Sequence, residues 1–401
     1  MKKRPRSTED PSYNSKGTKV NLLASNNRPL GLVLSGGGSR AAYQAGALEA
    51  LANFIDFKAS PISYLVGSSI GAINSLVLAA TIKNGFDYSM NELNELWMER
   101  TFKNSFKGSP TSTFIRSVKI AILKYARDPG VQATNDSIFD PEPLMHRIDS
   151  TIQSHGGTSC ASRDPNLKGV GVMTTIEGKE RKPLMFMSTH QKIPPEMMVG
   201  ASFEVCNVDQ LTASHGFASA ALPSVLPPVS LDVDGGKVSF VDGGISQNVP
   251  VDPMVRMGAE RVIIIDISGR QWWLDHYGES HDKRPDWEVP AALKTFCIRP
   301  PETFALKNQK PLGPLLKAAV GKSTRNFISA LGATWPVYTL IKKRLGEELA
   351  YEVMSYIALH PEYSQALIEL GYNETMSALK DRSTIEFCPL PLRSEQEEAT
   401  V

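Results

Sequence analysis

The chain has 401 residues, a formal net charge of +1, 41% hydrophobic and 21% charged residues. That length buries a sizeable core, the composition excludes wholesale disorder, and the near-neutral charge leaves no global field to gather nucleic acid. Cys160, Cys206, Cys297 and Cys388 stand far apart with no C-x-x-C pair, which reads as buried reduced thiols rather than a zinc site or a disulfide framework.

In chain order, "MKKRPRSTEDPSYNSKG" carries Lys2, Lys3, Arg4 and Arg6 but no apolar run. It reads as a mobile basic tail over residues 1–27, not as a signal peptide, with contact to a membrane surface as the lesser alternative. Leu30 to Leu34 predicts a short buried strand. Gly36, Gly37 and Gly38 follow, then a helix from Arg40 to Phe54 with apolar spacing at Leu48, Leu51 and Phe54. Three glycines in a row cost chain entropy, and a chain that keeps them is bringing backbone N–H groups close to something.

The uncharged stretch "ISYLVGSSIGAINSLVLAATI", Ile62 to Ile82, invites reading as a membrane span. Ser63, Ser68, Ser69, Asn74, Ser75 and Thr81 dilute it below a lipid-facing helix. It divides better into a strand from Ile62 to Val66, a tight turn at Gly67 and a helix from Ile70 to about Thr81. Strand, glycine turn and helix, repeated, predict an α/β fold with a parallel sheet.

From Asn91 to Gln153 the sequence is helix-rich, with "NELNELWMERTF" and "FIRSVKIAILKYARD" as its clearest pieces. Strands resume at "VGVMTTI" and "PLMFMS". "SLDVDGGKVSFVDGG" predicts a hairpin turning at Asp234-Gly235-Gly236, and "RVIIIDIS" is the most apolar strand. Trp272 to Pro314 is polar and holds prolines, as in a long surface excursion. Leu315 to Leu379 predicts several helices, and "TIEFCPL" is a short apolar end.

Chemistry is suggested first by Gly67-Ser68-Ser69-Ile70-Gly71, which fits G-x-S-x-G on a strand–turn–helix. A serine on so sharp a turn crowds the residues two before and two after it, so both must be small. An activated serine also needs oxyanion donors and a base. The N–H groups of Gly36, Gly37 and Gly38 would project from the same sheet edge as Ser69, with Arg40 adding a positive charge at the helix start. For the base, His276, His281 and His360 follow Asp242, while His190 and His215 precede it. Each singly fits a surface or packing role better. Asp242 ends "KVSFV" ahead of Gly243 and Gly244, which permit close approach; taken alone, a turn aspartate capping its own backbone is the plainer reading. Asp266 in "IIIDIS" is the second candidate. A rival reading takes Gly36-x-Gly38-x-x-Ala41 as a dinucleotide fingerprint with Asp56 as the ribose acid. However, "NFIDFKASP" does not put Asp56 at a strand end, and the serine elbow would go unexplained.

"GGGSRAAYQAG", "GSSIG" and "DGG", in that order, with "ASAALPSVLPPV" before the acid and "NVPVDPM" after it, resemble the patatin-like phospholipases over about Leu30 to Ser268. The resemblance implies a three-layer fold with a central, mainly parallel sheet flanked by helices and a helical C-terminal extension. The expected division is a tail over 1–27, a catalytic domain over 28–270, and a surface excursion with a helical region packed on that domain over 271–401. It implies a Ser–Asp dyad without a catalytic histidine: Ser69 the nucleophile, Asp242 the general base. The loop Gly36, Gly37, Gly38 would be the oxyanion hole, Gly37 and Gly38 its leading donors, and Arg40 the motif's basic position. The family's glycine after the basic residue is Ala41 here. The implied substrates are fatty-acyl esters of glycerophospholipids or other lipids at a membrane surface. No cofactor, metal or nucleic acid is expected, and the implied location is cytoplasmic or peripheral to a membrane. The alternatives are an inactive relative serving as a binding module and a nucleotide-binding protein. Trp272-Trp273 and "ISALGATWPVYTLI" are candidates to face lipid, the latter equally suited to the core.

Overall fold

Leu30, Leu32 and Leu34 alternate with Gly31 and Val33, so this strand is apolar on both faces, the pattern of a strand covered on both sides. In the computed structural model, which describes residues 28–108, 113, 116, 137–198, 201–268, 302–308, 310–380 and 382–389, it forms β1 (Leu30–Leu34), buried throughout. The strands that follow are β2 (Ile62–Ser68), β3 (Gly169–Ile176), β4 (Pro183–Thr189), β5 (Glu204–Asn207), β6 (Val229–Val233), β7 (Gly236–Val241), β8 (Arg261–Asp266), β9 (Glu302–Lys307) and β10 (Cys388–Pro389). They pair in the order β10-β9-β8-β1-β2-β3-β4-β5, and the β6–β7 hairpin joins through β7 to β3. The centre is parallel, with β9, β8, β1, β2 and β3 running together. β4 and β7 each pair antiparallel with β3.

The helices are α1 (Ala42–Phe54), α2 (Ile70–Thr81), α3 (Phe86–Met98), α4 (Phe102–Ser105), α5 (Glu142–Ser154), α6 (Ala213–Ala220), α7 (Val251–Arg256), α8 (Gly313–Val320), α9 (Thr324–Leu331), α10 (Trp335–Leu345), α11 (Glu347–Ser355) and α12 (Pro361–Leu379). One sheet face meets α1, α2 and α6 through a core that includes Leu32, Leu65, Leu48, Ile73 and Phe217. The other meets α7 through Val33, Val66, Met254 and Ile264. Helices on both faces of the sheet give three layers. α12 lies on α1 at backbone contact: a Cβ on Gly371 would stand 2.1 Å from the Tyr43 carbonyl oxygen.

The uncharged Ile62–Ile82 stretch becomes β2 and α2, and no helix among the described residues is long and apolar enough to cross a membrane. The helix expected from Arg40 begins at Ala42, after a 3-10 turn over Gly38–Ala41. The hairpin turns where expected, with Asp234 and Gly235 at φ of 49° and 82°, the left-handed pair that matches the twist of a two-residue hairpin. One expectation is corrected. The stretch read as surface excursion contains β9, which extends the sheet beyond β8; Thr303, Phe304 and Leu306 are buried while Ala305 and Lys307 are exposed. Six residues that end in a charged one, placed among prolines, mask that alternation. Residues 1–27, Trp272, Trp273, His276, His281 and Cys297 lie outside the described residues, as does most of "FIRSVKIAILKYARD".

Candidate active site

Register decides what meets at the carboxyl edge of the sheet. β1 and β2 run parallel with Leu34 opposite Gly67, so the glycine loop after β1 and Ser69 after β2 emerge side by side. β2 pairs Ser68 with Met173 of β3, and β3 pairs Thr175 with Val241 of β7. Asp242, the residue after β7, is thereby delivered to the same edge.

Ser69 is the single residue between β2 and α2, with φ 52° and ψ −132°. A side chain held in that region is strained, and such strain persists only where its surroundings enforce it. Here they do. A Cβ on Gly67 would stand 2.4 Å from the Gly71 carbonyl oxygen, and one on Gly71 would stand 2.4 and 2.5 Å from the carbonyl oxygens of Leu34 and Ser35. The glycine spacing is therefore a packing requirement of the elbow. The Ser69 N–H donates to Ser219 Oγ at 2.8 Å, and the Ser219 hydroxyl in turn donates to the Met173 carbonyl. Ser68 is fully buried whereas Ser69 reaches the surface of a cavity.

The Ser69 hydroxyl donates to Asp242 Oδ2 at 2.7 Å. Asp242 Oδ1 accepts the Gly244 N–H at 2.7 Å, and the Thr175 hydroxyl donates to the Asp242 carbonyl at 2.8 Å. Gly243 lets this turn press on β3, since a Cβ there would stand 2.1 Å from the Met173 carbonyl oxygen. Asp242 is only 5% exposed. Burial pushes its carboxyl up to about 6, against the hydrogen bonds from Ser69 and Gly244, which pull it down. A carboxylate with proton affinity near neutrality, already holding a serine proton, has the geometry of a general base.

In the glycine loop the Gly36 N–H donates to the Asn248 carbonyl at 3.1 Å, and the Ser39 N–H to the Tyr356 carbonyl at 2.8 Å. The N–H groups of Gly37 and Gly38 have no hydrogen-bond partner among the described residues, and both glycines line the cavity with Ser69. Gly38 takes φ 59°, and a Cβ on it would stand 2.1 Å from the Tyr356 carbonyl oxygen. Arg40 turns the other way. Its Nε donates to Ser355 Oγ at 2.9 Å, its Nη2 to the Glu352 carbonyl at 3.1 Å and to the Glu352 carboxylate, and the guanidinium lies 3.5 Å from the Tyr356 ring centroid. Its charge is spent on α11. Ala41 is fully buried in the core, and its carbonyl accepts from Asn74.

The other candidates are placed elsewhere. Asp266 accepts the Ser268 N–H at 3.0 Å. Asp56 accepts the Lys58 N–H at 2.9 Å in the turn after α1. The His215 ring is bonded to Thr212 at the start of α6, and burial pushes it down to about 4. His360 caps α12 by accepting the Glu362 N–H. Among the described residues no group of three His, Cys, Asp or Glu is placed to hold a metal. Ser219, Asn248, Glu352 and Tyr356 brace the site without having been assigned a role from sequence. The first two lie in the quoted segments "ASAALPSVLPPV" and "NVPVDPM", so position beside a motif was the available signal.

The cavity has a volume of about 340 Å³. It runs from Ser69, Asp242 and the glycine loop over Ile73, Phe139, Leu144 and Phe217, within the range of ligand-binding clefts.

Fold and site together define a three-layer α/β protein with a serine at a strand–helix elbow on the carboxyl edge of a mainly parallel sheet. Residues 32–255 match the family model of the patatin-like phospholipases, more than half of the chain, and the chain belongs to that family. No curated protein matches it. Among solved structures it is similar to VipD from Legionella pneumophila, at 13% identity over 91% of this chain and 71% of that one, TM-score 0.29. Human GIVD cytosolic phospholipase A2 is similar at 13% identity over 88% and 61%, TM-score 0.36. The type III effector ExoU of Pseudomonas aeruginosa is similar at 14% identity over 90% and 54%, TM-score 0.33. The chain spans less than two thirds of the last two.

Proposed function

We propose that this chain is a serine-dependent lipid acyl hydrolase of the phospholipase A type, acting on fatty-acyl esters of glycerophospholipids. The observation that carries the reading is the 2.7 Å hydrogen bond from Ser69 Oγ to Asp242 Oδ2 at the wall of a largely apolar cavity. Ser69 Oγ attacks the ester carbonyl as Asp242 takes its proton. The N–H groups of Gly37 and Gly38 hold the oxyanion. Collapse breaks the bond to the alcohol oxygen, which leaves with the proton from Asp242. Water then attacks the acyl-serine, Asp242 accepts its proton, and Ser69 Oγ departs and regains a proton. Arg40 acts at one remove, by holding the loop against α11.

A lipid surface is the natural source of such a substrate. Ile328, Trp335, Leu340 and Leu345 are exposed on α9 and α10, beside Lys342, Lys343 and Arg344 in the last turn of α10. Apolar anchors rimmed by cations suit an anionic membrane surface. Ile328 and Trp335 also line a second cavity of about 780 Å³, which shares Phe106 and Phe139 with the first.

A fluorophosphonate probe labels wild-type protein at Ser69 and leaves Ser69→Ala unlabelled. Mass spectrometry of mixed liposomes incubated with the two proteins shows free fatty acid and lysolipid with wild type only. Folded Ser69→Ala that still releases fatty acid overturns the reading.

A further inference from the structure

Among the described residues, the buried guanidinium groups of Arg40, Arg163 and Arg256 each donate to oxygen, with Arg40 Nη1 left over. Arg40 has Glu352 and Ser355, Arg163 has the carbonyls of Leu167, Lys168 and Ser188, and Arg256 has Asp252. Arg100, just after α3, differs. It is 3% exposed, its Nε and Nη2 are buried without a hydrogen-bond partner among the described residues, and its guanidinium stacks on the Trp97 ring with 4.0 Å to the centroid. A guanidinium never gives up its charge in a protein under ordinary conditions and carries five donors in a fixed fork, so leaving it unpaired in the interior is costly. Burial pulls Arg100 down to about 9, still charged at neutral pH.

The unpaired side chain lines the cavity that holds Ser69 and Asp242, among Phe106, Phe139 and Leu144. Apolar walls strengthen whatever electrostatic contact it makes there. Its platform is fixed as well. The Trp97 indole N–H donates to Asn74 Oδ1 at 3.1 Å, and Asn74 Nδ2 donates to the Ala41 carbonyl and to Gln44 Oε1. Asn74 lies on α2, the helix that Ser69 caps, so the indole beneath Arg100 is tied by a hydrogen bond to the element that positions Ser69.

We propose that Arg100 is a specificity-determining residue, its guanidinium binding an anionic oxygen group of the lipid inside the cavity of Ser69. Two sources carry that chemistry: the phosphate of a phosphorylated substrate and the carboxylate of the released fatty acid. The assignment rests on the acyl-hydrolase reading for its kinetic consequence but not for the binding itself.

The test therefore starts with binding. Full-length Ser69→Ala and Ser69→Ala/Arg100→Gln are titrated with a short-chain lysophosphatidate, the matched monoacylglycerol and the free fatty-acid anion. Hydrogen bonds to a charged partner are commonly worth about tenfold or more in affinity, and a loss of that size is expected for lysophosphatidate when phosphate is the partner, or for the fatty-acid anion when carboxylate is. With Ser69 intact, a phosphate partner also lowers the lysophosphatidate-to-monoacylglycerol ratio of kcat/KM about tenfold in Arg100→Gln, and Arg100→Lys retains part of the preference. Because the substitution removes an unpaired buried charge, Arg100→Gln should melt no lower than wild type. Equal affinities for both anions in the two titrated proteins overturn the proposal. So does a lower melting transition with all three ligands weakened alike, which marks a structural arginine. Failure of the hydrolase reading would look different: wild type unreactive toward the fluorophosphonate while the binding difference persists.

Discussion

The Ser69 hydroxyl and the Asp242 carboxylate, 173 residues apart in sequence, meet at 2.7 Å because β7 pairs with β3 in a register that ends one residue short of the acid. Burial that raises the Asp242 carboxyl toward neutrality, as the proposed base requires, also makes it costly to ionise. A carboxyl raised from 3.8 to about 6 favours the fold fully below the unfolded value, and that stability is lost as pH rises through about 6. Asp242→Asn, which has no charge to bury, should therefore match wild type near pH 4 and exceed it above pH 6, by an amount on the order of 3 kcal/mol at most. Its turnover should collapse. Wild-type kcat/KM should rise with pH through about 6 as the base form appears. Melting curves and rates across that window check both halves; an Asp242→Asn protein that turns over normally rules out Asp242 as the base.

Ser69→Ala should also melt at or above wild type. The hydroxyl leaves, and the serine's bond to a buried carboxylate goes with it, but Asp242 can then stay protonated more easily. The φ of 52° remains, so Ser69→Gly should gain further, since glycine takes that conformation without strain. The expected order of melting temperatures is Gly above Ala above or equal to Ser. Ser68→Ala, at a fully buried hydroxyl with no hydrogen-bond partner among the described residues, should keep most of the activity. Abolished labelling in folded Ser68→Ala would count against the elbow assignment.

Sequence periodicity located β1, β2, α2 and the hairpin because each buries a continuous apolar run or turns on residues suited to positive φ. The elbow was legible because glycines are tolerated there only where a backbone must pass close by, whereas Asp242, on its own residues a plain turn aspartate, was singled out only by the resemblance. What was not legible depends on pairing at long range. β9 is a short strand whose partner β8 is separated from it by 35 residues, counting 267 to 301. The Arg40–Glu352 pair spans 312 positions, and nothing in "GGGSRAAYQAG" says whether its arginine faces the cavity or the C-terminal helices. Arg100 carried no motif at all. Only the absence of a partner in three dimensions marks it.

Substitutions in the glycine loop should separate catalysis from folding. A Cβ on Gly37 would meet the Ile267 side chain at 2.7 and 2.9 Å and its carbonyl oxygen at 3.3 Å, a crowding that a shift of the Ile267 side chain by a few tenths of an ångström goes furthest to relieve. Gly37→Ala should fold, with its donor slightly displaced, and lose about 10²–10³ in turnover, the usual cost of one oxyanion donor. A Cβ on Gly38 would meet the rigid Tyr356 carbonyl at 2.1 Å with φ at 59°. Gly38→Ala should therefore lower the melting transition as well as the rate. Kinetics paired with thermal melts check the split, and equal stability losses in both variants would show that the loop is not organised in this way.

A clamp of buried charges stands behind that loop. Glu352 holds two groups at once: its Oε2 accepts the Gly313 N–H at 2.6 Å, and its Oε1 pairs with Arg40, both side chains being almost fully buried. Glu352→Ala leaves the Arg40 charge without its carboxylate and the α8 start without an acceptor. Breaking a buried pair by removing one partner commonly costs about 3–5 kcal/mol. The damage should not stop at stability. Ser39 and Gly38 rest on the carbonyl of Tyr356, one residue beyond α11, so a loosened α11 frees the segment that carries the Gly37 and Gly38 donors. Expected at a temperature where the variant is still folded is a fall in kcat with little change in KM, because in the proposed mechanism the loop acts on the oxyanion. Arg40→Met, which removes the buried charge together with its demand for a partner, should cost less stability than Glu352→Ala while lowering kcat similarly. A Glu352→Ala protein with the melting temperature and the kcat of wild type would sever the C-terminal helices from the site.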